Sequence, residues 1–150
     1  MSEFRVQKVR RALDVVLANG HRMTGYIFLE PIARHHPGEQ DPRELMNDDE
    51  DFFPIDVNGQ LTLLSKQQVR TATYRVPADP NKPPIRTVEV KVILADGTVL
   101  NGEIELESRT DAERLLDYLN SLGGRFLSLM VEGAATCLVN RRMIAGVQQR

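Results

Sequence analysis

An internal repeat constrains the fold of this 150-residue chain more than any other feature of its sequence. The segment 16–20 reads VLANG and is followed five residues later by Gly25. The segment 93–97 reads ILADG and is followed five residues later by Gly102, so both matches have the same offset of 77. A repeat of this kind predicts two copies of one folding unit.

The similarity continues towards the end of each copy. The segment 63–66, LLSK, aligns with the segment 138–141, LVNR, at an offset of 75, and Phe52 aligns with Phe126. Order, spacing and residue type agree over about 60 positions with only small gaps, which indicates a duplication rather than chance.

Each copy is predicted to begin with a β-hairpin. In segment 87–94 of the second copy, apolar and polar residues alternate, which places the apolar set on one face of a strand. The pair at 96–97, DG, predicts a tight type I′ turn, and segment 99–107 returns with the same alternation. Gly102 lies inside the returning strand, where glycine is typical of a bulge or bend. The first copy repeats this pattern around the turn at 19–20, NG.

A helix is predicted after the hairpin of the second copy, near 111–122. Four leucines fall at helical spacing in this segment: Leu115, Leu116, Leu119 and Leu122. The equivalent helix of the first copy is eroded, because Pro31, Pro37 and Pro42 interrupt the segment and only 43–47 remains for a short turn.

Further strands follow each helix, and together they predict the fold class. The strands are predicted at 51–57, 61–64 and 69–73, and at 125–131, 136–139 and 143–147. Short strands joined by tight turns favour a small barrel. We therefore expect an α+β, mainly β protein: a first unit at 1–75, a proline-rich linker at 76–85 and a second unit at 86–150. Units of about 65 residues are marginal alone, so we expect two tandem β-β-α-β-β barrels packed with pseudo-two-fold symmetry.

Charge and composition narrow the class of function. The net charge is −2 and the sequence pI is about 5.9, which argues mildly against a nucleic-acid binder that relies on phosphate contacts. No apolar run approaches the roughly 18 residues of a membrane helix, and the first residues lack the apolar stretch of a signal peptide. The single cysteine, Cys137, excludes an internal disulfide and is predicted to fill the core from an inner strand. We expect a cytoplasmic protein with no membrane partner.

Basic residues supply the one candidate binding site. Lys66 and Arg141 occupy equivalent places in the repeat, just before the closing segment, and Arg142 follows directly. If the copies pair about a two-fold axis, these side chains form symmetric basic patches for an anion, a nucleic acid or a partner. The alternative is that they are solvated charges before an edge strand.

A cluster of histidines and acidic residues is a candidate metal site. His35 and His36 are followed by Glu39, Asp41 and the acidic run 48–51. Imidazoles and carboxylates bind metals, but this spacing fits neither a calcium-binding EF-hand nor a zinc-binding H-E-x-x-H helix, and a solvated loop is the favoured interpretation. The sequence contains neither nucleotide-binding glycine motif. No catalytic residue, metal site or cofactor is therefore predicted.

The second copy also carries a family pattern. Segments 93–102, 116–120, 126–129 and 139–144 combine a DG-x4-G element with LD-x-LN, FL-x-L and VNR-x-x-I elements. This pattern resembles a bacterial family of uncharacterised domains, fully in the second copy and partly in the first. The strand order is also similar to Sm-like and SH3-like small barrels, a resemblance that implies a fold more than an activity.

These observations favour a non-enzymatic binding or scaffolding module of the bacterial cytoplasm. We expect an unidentified protein as its partner, and a homodimer through leftover strand edges is one arrangement. Two alternatives stay open. One is an RNA- or nucleotide-binding regulator of Sm-like type that uses Lys66, Arg141 and Arg142. The other is a metal-dependent enzyme built on the loop of His35 and His36.

Overall fold

A computed structural model describes residues 7–34, 36–77, 80–81, 85–106 and 115–150. The chain divides into two units, Met1–Ala72 (unit 1) and Thr73–Arg150 (unit 2). The predicted linker 76–85 lies in part outside the described residues. No helix in the described ranges is long and apolar enough to cross a membrane.

The same order of elements occurs twice along the chain. The first set is β1 (Val9–Leu17), β2 (Arg22–Leu29), α1 (Pro42–Asn47), β3 (Phe52–Val57), β4 (Gln60–Ser65), a 3-10 turn (Lys66–Gln68) and β5 (Val69–Arg75). The second set is β6 (Thr87–Leu94), β7 (Val99–Glu105), α2 (Leu115–Ser121), β8 (Phe126–Val131), β9 (Ala135–Asn140), a 3-10 turn (Arg141–Met143) and β10 (Ile144–Gln149). The boundary between the units falls inside β5.

The sheet is open, and the predicted pair of tandem Sm/SH3-like β-β-α-β-β barrels is therefore wrong. Within the described residues, the hydrogen-bonded strand order is β5-β1-β2-β3-β4 in unit 1 and β10-β6-β7-β8-β9 in unit 2, where the end of β5 lies beside β9. Neighbouring strands within the units pair antiparallel. A closed five-stranded barrel requires each fourth strand to pair with the fifth strand of its own unit. Instead β4 ends the order, and β9 lies beside β5 rather than β10.

The two predicted hairpins form, but with a different turn. In unit 2 the backbone N–H of Thr98 donates to the Asp96 carboxylate at 2.9 Å, and Gly97 has a φ of 92°. In unit 1 the His21 N–H donates in the same way to the Asn19 side-chain oxygen at 2.9 Å. A type I′ turn needs positive φ at both central residues, whereas here only the glycine has it, so the side-chain oxygen stabilises the turn instead.

Gly25 and Gly102 mark the points where a hairpin strand crosses closely over the next strand. A Cβ atom at Gly25 would lie 2.5 Å from the Asp56 carbonyl oxygen, and one at Gly102 would lie 2.4 Å from the Met130 carbonyl oxygen. Any side chain at either place would collide with backbone. The predicted bends are therefore close approaches between β2 and β3 and between β7 and β8.

The core of unit 2 is aliphatic. Its buried members are Val90, Val92, Leu94, Ile104, Leu106, Leu127, Leu129, Cys137 and Val139. The inward face predicted for segment 87–94 and the core position of Cys137 are thus confirmed. Leu115, Leu119 and Leu122 of the predicted helix pack against this core, but Leu116 is exposed. The described helix is shorter than predicted, and residues 111–114 lie outside the described residues.

Candidate protein-binding surface

Lys66, the first of the predicted site residues, is buried. Its side chain is 0% exposed, and its Nζ donates to the Leu45 carbonyl oxygen at 2.7 Å and to the Asp48 carboxylate at 2.5 Å. Leu45 belongs to the last turn of α1, where carbonyl groups lack helical partners and attract cations. In this structure Lys66 therefore stabilises the end of a helix and is not part of an exposed basic surface.

Arg141 has a corresponding contact in unit 2. Its guanidinium donates to the carbonyl oxygen of Leu122, the residue after α2 ends at Ser121. The backbone agrees as well: Arg141 N donates to the Arg125 carbonyl at 2.9 Å, as Lys66 N donates to the Asp51 carbonyl at 2.8 Å. Each unit thus places a basic side chain against the end of its own helix.

Arg142 lies beside Arg141 on the same 3-10 turn and is exposed. Its backbone N–H donates to the Asn140 side-chain oxygen at 3.0 Å, which caps the turn. Within the described ranges its guanidinium forms no ion pair. Of the three predicted residues, the two arginines are neighbours on unit 2, whereas Lys66 belongs to the interior of unit 1.

The histidine loop contacts α1. The ring of His36 bonds to the Pro37 carbonyl oxygen at 2.8 Å through Nδ1 and to the Glu44 carboxylate through Nε2. The same carboxylate accepts from the Asp41 N–H, and the Asp41 side chain accepts from Arg43 N to complete a capping box. These groups therefore stabilise the start of a helix.

The electrostatics of this loop follow from its hydrogen bonds. The Pro37 carbonyl, followed by the Glu44 carboxylate, raises the pKa of His36. Burial acts to raise the pKa of Glu44, but hydrogen bonds from His36 and from the Asp41 backbone outweigh it and lower that pKa. His35 lies outside the described residues. No group of three or more His, Cys, Asp or Glu side chains that could hold a metal occurs in the described part of the chain.

Cys137 is a poor nucleophile in this environment. Burial raises the pKa of its thiol, and a hydrogen bond with Thr73 only partly offsets that rise. A thiol with a raised pKa stays protonated at neutral pH, and the thiolate is the reactive species. Cys137 therefore acts as a small apolar core residue.

An exposed apolar surface on unit 1, which we term the outer face, was not predicted. Its members are Tyr26 of β2, Phe52 and Pro54 of β3, and Leu61 and Leu63 of β4. Phe52, Leu61 and Leu63 are 59%, 60% and 65% exposed. Soluble proteins expose single apolar side chains freely, but a contiguous group of this kind is typical of an interaction site.

The strand register makes this surface continuous. Leu63 lies opposite Pro54 and Leu61 lies opposite Asp56, which in turn lies opposite Tyr26. Opposed residues in antiparallel strands project to the same side of the sheet, as do residues two apart on one strand. The other side of the same strands contributes the buried residues Ile27, Phe53, Ile55 and Leu64. The sheet therefore presents apolar side chains on both faces here.

A polar group borders the outer face. The Arg10 guanidinium lies over the Tyr26 ring, 4.6 Å from its centroid, and donates to the Asp56 carboxylate at 3.0 Å. The other carboxylate oxygen of Asp56 is buried and has no hydrogen-bond partner within the described ranges. Tyr and Arg are residue types that are enriched in protein-binding hot spots.

Strand β4 also offers a free backbone edge. It ends the strand order and, in the described part of the chain, pairs only with β3. Its sequence, QLTLLS, contains no charge and no proline, the usual devices that prevent an edge strand from pairing with another chain. Apolar side chains and unpaired backbone groups therefore occur on the same strand.

One signal in the sequence could have revealed this surface. Phe52-Phe53 and Leu63-Leu64 are adjacent apolar pairs, and adjacent residues of a strand project to opposite faces. Such pairs place an apolar residue on each face of β3 and β4.

Comparison of the chain with family models, curated proteins and solved structures finds no match. The resemblance to a bacterial family of duplicated domains stays a prediction.

Proposed function

We propose that this protein is a non-enzymatic binding or scaffolding module of the bacterial cytoplasm, built by duplication of one strand-rich unit. It binds a protein partner through the outer face of unit 1 and the free edge of β4. The observation that carries this proposal is the joint exposure of Phe52, Leu61 and Leu63 on and beside an uncharged terminal strand.

Corresponding hydrogen bonds in the two units support the duplication. Ala18 N donates to the Gln68 carbonyl at 2.8 Å, and Ala95 N donates to the Met143 carbonyl at 2.8 Å. In each unit, this bond joins the residue directly after the first strand to the last residue of the 3-10 turn. Shared hydrogen bonds at repeat-related positions are expected when one folding unit is used twice.

The magnitudes favour strand addition over side-chain contact alone. Full burial of a Leu or Phe side chain contributes about 1.5–3 kcal/mol. Phe52, Leu61 and Leu63 retain about three-fifths of their exposure, so together they offer roughly 3–5 kcal/mol. Association costs at least about 4 kcal/mol, so a stable complex also needs hydrogen bonds from a partner strand to the β4 backbone.

The chemistry of this surface suits a protein rather than a nucleic acid. Strand β4 has no basic residue, and the Arg10 guanidinium that borders the outer face is already paired with Asp56. Binding to phosphates needs several available cations. A strand from a protein supplies apolar side chains that cover the outer face and backbone groups that pair with the free edge of β4.

Differential capture tests the proposal. The full chain and its Leu61→Glu/Leu63→Glu variant would be immobilised and exposed to an extract of the source cells. The control, Val99→Glu/Leu116→Glu, places the same charges at exposed apolar positions of unit 2. We expect a partner protein that the wild type and the control retain and that the β4 variant loses by about tenfold or more. Equal retention by all three, with circular dichroism confirming that they are folded, would contradict the proposal.

A further inference from the structure

Unit 2 already contains the kind of strand pairing that β4 lacks. By the offset of the repeat, β9 is the equivalent of β4 and β10 is the equivalent of β5. Within unit 2, β9 lies next to the end of β5. The end of this contact belongs to unit 2, where Val76 N donates to the Ala134 carbonyl at 2.9 Å and the Arg75 guanidinium donates to the Gly133 carbonyl at 2.8 Å. The fourth strand of one repeat copy (β9) and the fifth strand of the other (β5) therefore already lie side by side in this chain.

Exposure differs sharply between repeat-related positions. Phe126 and Leu138, on β8 and β9, are 2% and 0% exposed, whereas the equivalent Phe52 and Leu63 are mostly exposed. The fifth strands show a similar contrast: Ala72 of β5 is 0% exposed, while its equivalent Val147 of β10 is only partly buried. Strands β4 and β10, each paired on one side only in the described residues, are therefore less buried at these positions than their repeat equivalents.

We propose that copies of this protein associate head to tail, with β10 of one copy added to β4 of the next. This inference depends on the proposed function, since it names a second copy as the partner of the outer face. The interface joins two different surfaces, so it repeats until the assembly closes into a ring or continues as a filament. A two-fold dimer through β4 alone would stop at two chains.

The composition of both strands fits this pairing. Strand β4 reads QLTLLS and β10 reads IAGVQQ, so each is six residues long and neither contains a charge or a proline. Exposed edge strands usually carry such residues because they prevent addition of another strand. Neither β4 nor β10 has that protection.

The backbone alternation identifies which amides face the free edges. Arg150 N donates to the Glu89 carbonyl of β6, so the amide one residue earlier, that of Gln149, faces away from β6. Lys66 N donates to the Asp51 carbonyl beside β3, so by the same alternation the amide of Leu63 faces away from β3. Proline at either place removes a free-edge donor and preserves the pairing with the inner neighbour.

Complementation between two blocked variants tests the proposal. The purified full chain, Leu63→Pro and Gln149→Pro would be compared by sedimentation velocity, alone and mixed. We expect concentration-dependent oligomers for the wild type and monomers for each variant. The mixture should form a dimer, because the intact β10 of the first variant fits the intact β4 of the second. The controls Leu63→Thr and Gln149→Ala keep the amide and should assemble within about threefold of the wild-type dissociation constant.

Three outcomes would overturn this inference. The first is a wild-type chain that stays monomeric at high concentration; if it still captures another protein through Leu61 and Leu63, the proposed function stands without self-association. The second is a Gln149→Pro chain that still dimerises, which assigns the contact to β4 in both copies. The third is a mixture that stays monomeric. If Leu63→Pro fails to fold, Leu61→Glu/Leu63→Glu replaces it as the β4-blocked chain.

Discussion

Phe52 and Phe126 begin equivalent strands of the two units, yet Phe52 is 59% exposed and Phe126 is 2% exposed. The residue type is the same and both strands pair with the next strand through a full hairpin register. The difference therefore lies in what covers the side chain and not in the local fold. The outer face of unit 1 therefore includes a position whose equivalent in unit 2 is buried.

Substitution of Phe52 and of Phe126 by alanine should lower the free energy of unfolding by different amounts. Loss of a buried Phe side chain costs about 3–5 kcal/mol, so Phe126→Ala should lower the free energy of unfolding by that amount. Phe52→Ala should cost less than about 1 kcal/mol when the chain is dilute, because its ring is mostly hydrated already. Urea denaturation of both variants at low protein concentration measures this. Equal losses would show that Phe52 is part of a core.

Replacement of Lys66 should destabilise unit 1 rather than weaken the binding of an anion. Lys66→Met removes the donor from the partly buried Leu45 carbonyl and Asp48 carboxylate, and the loss of hydrogen bonds from a charged group costs about 1–3 kcal/mol. Arg141→Met is the matched control in unit 2. It should cost less than about 1 kcal/mol, because water can replace an exposed side chain.

Urea denaturation of both variants, with a phosphate titration monitored by NMR, tests this assignment. If Lys66→Met has unchanged stability but binds phosphate more weakly, Lys66 contributes to a basic surface and the assignment is wrong. A loss of stability with unchanged binding confirms its role at the end of α1.

Alanine at the two crossing glycines should be costly in both units. Gly25→Ala and Gly102→Ala each place a Cβ within about 2.5 Å of a carbonyl oxygen on the neighbouring strand, so the strands must separate. Overpacking of this kind costs about 1–3 kcal/mol. Gly123→Ala is the control, since a Cβ there meets nothing within 4 Å. In thermal unfolding, the midpoint temperature of the control should lie near that of the wild type, and the midpoints of Gly25→Ala and Gly102→Ala should lie well below it.

The contact between His36 and Glu44 should give the loop a pH-dependent stability. The pKa of His36 is raised from its ordinary value of 6.5, so its contribution is complete below that pH and is lost as the pH rises through the raised pKa. The pKa of Glu44 is lowered from 4.5, so its contribution is present above that pH and is lost as the pH falls through the lowered pKa. The pair should therefore stabilise α1 most between pH 4.5 and 6.5.

Amide exchange of α1 as a function of pH measures this effect. The difference in protection between the wild type and His36→Gln should be largest inside that window and should shrink on both sides. A difference that stays constant across the range would contradict the assignment of the pair.

Local features of this fold were readable from the sequence. The positions of the NG and DG turns and the alternation that buries Val90 and Val92 agree with the prediction, whereas the predicted glycine bends are close approaches between strands. Each depends on residues a few positions apart. Pro42 was expected to interrupt the first helix, yet it lies in the first turn of α1, where a missing N–H costs nothing.

The features that sequence reasoning missed depend on distant partners. Alternation determines which face of a strand is buried, but it does not determine which strand lies beside its free edge, so barrel closure was inferred wrongly. Lys66 was assigned to the surface because it is charged and lies at a turn. Its burial depends on Asp48 and Leu45, some twenty positions earlier, and no local sequence pattern indicates that contact.

Hydrogen exchange of the β4 and β10 amides at increasing chain concentration tests the central claim most directly. If β10 of one copy adds to β4 of the next, the amides of Leu63 and Gln149 should gain protection together as the concentration rises. The Gln149→Pro chain should show no such gain at Leu63. Exchange at both positions that is independent of concentration in the wild type would contradict the account.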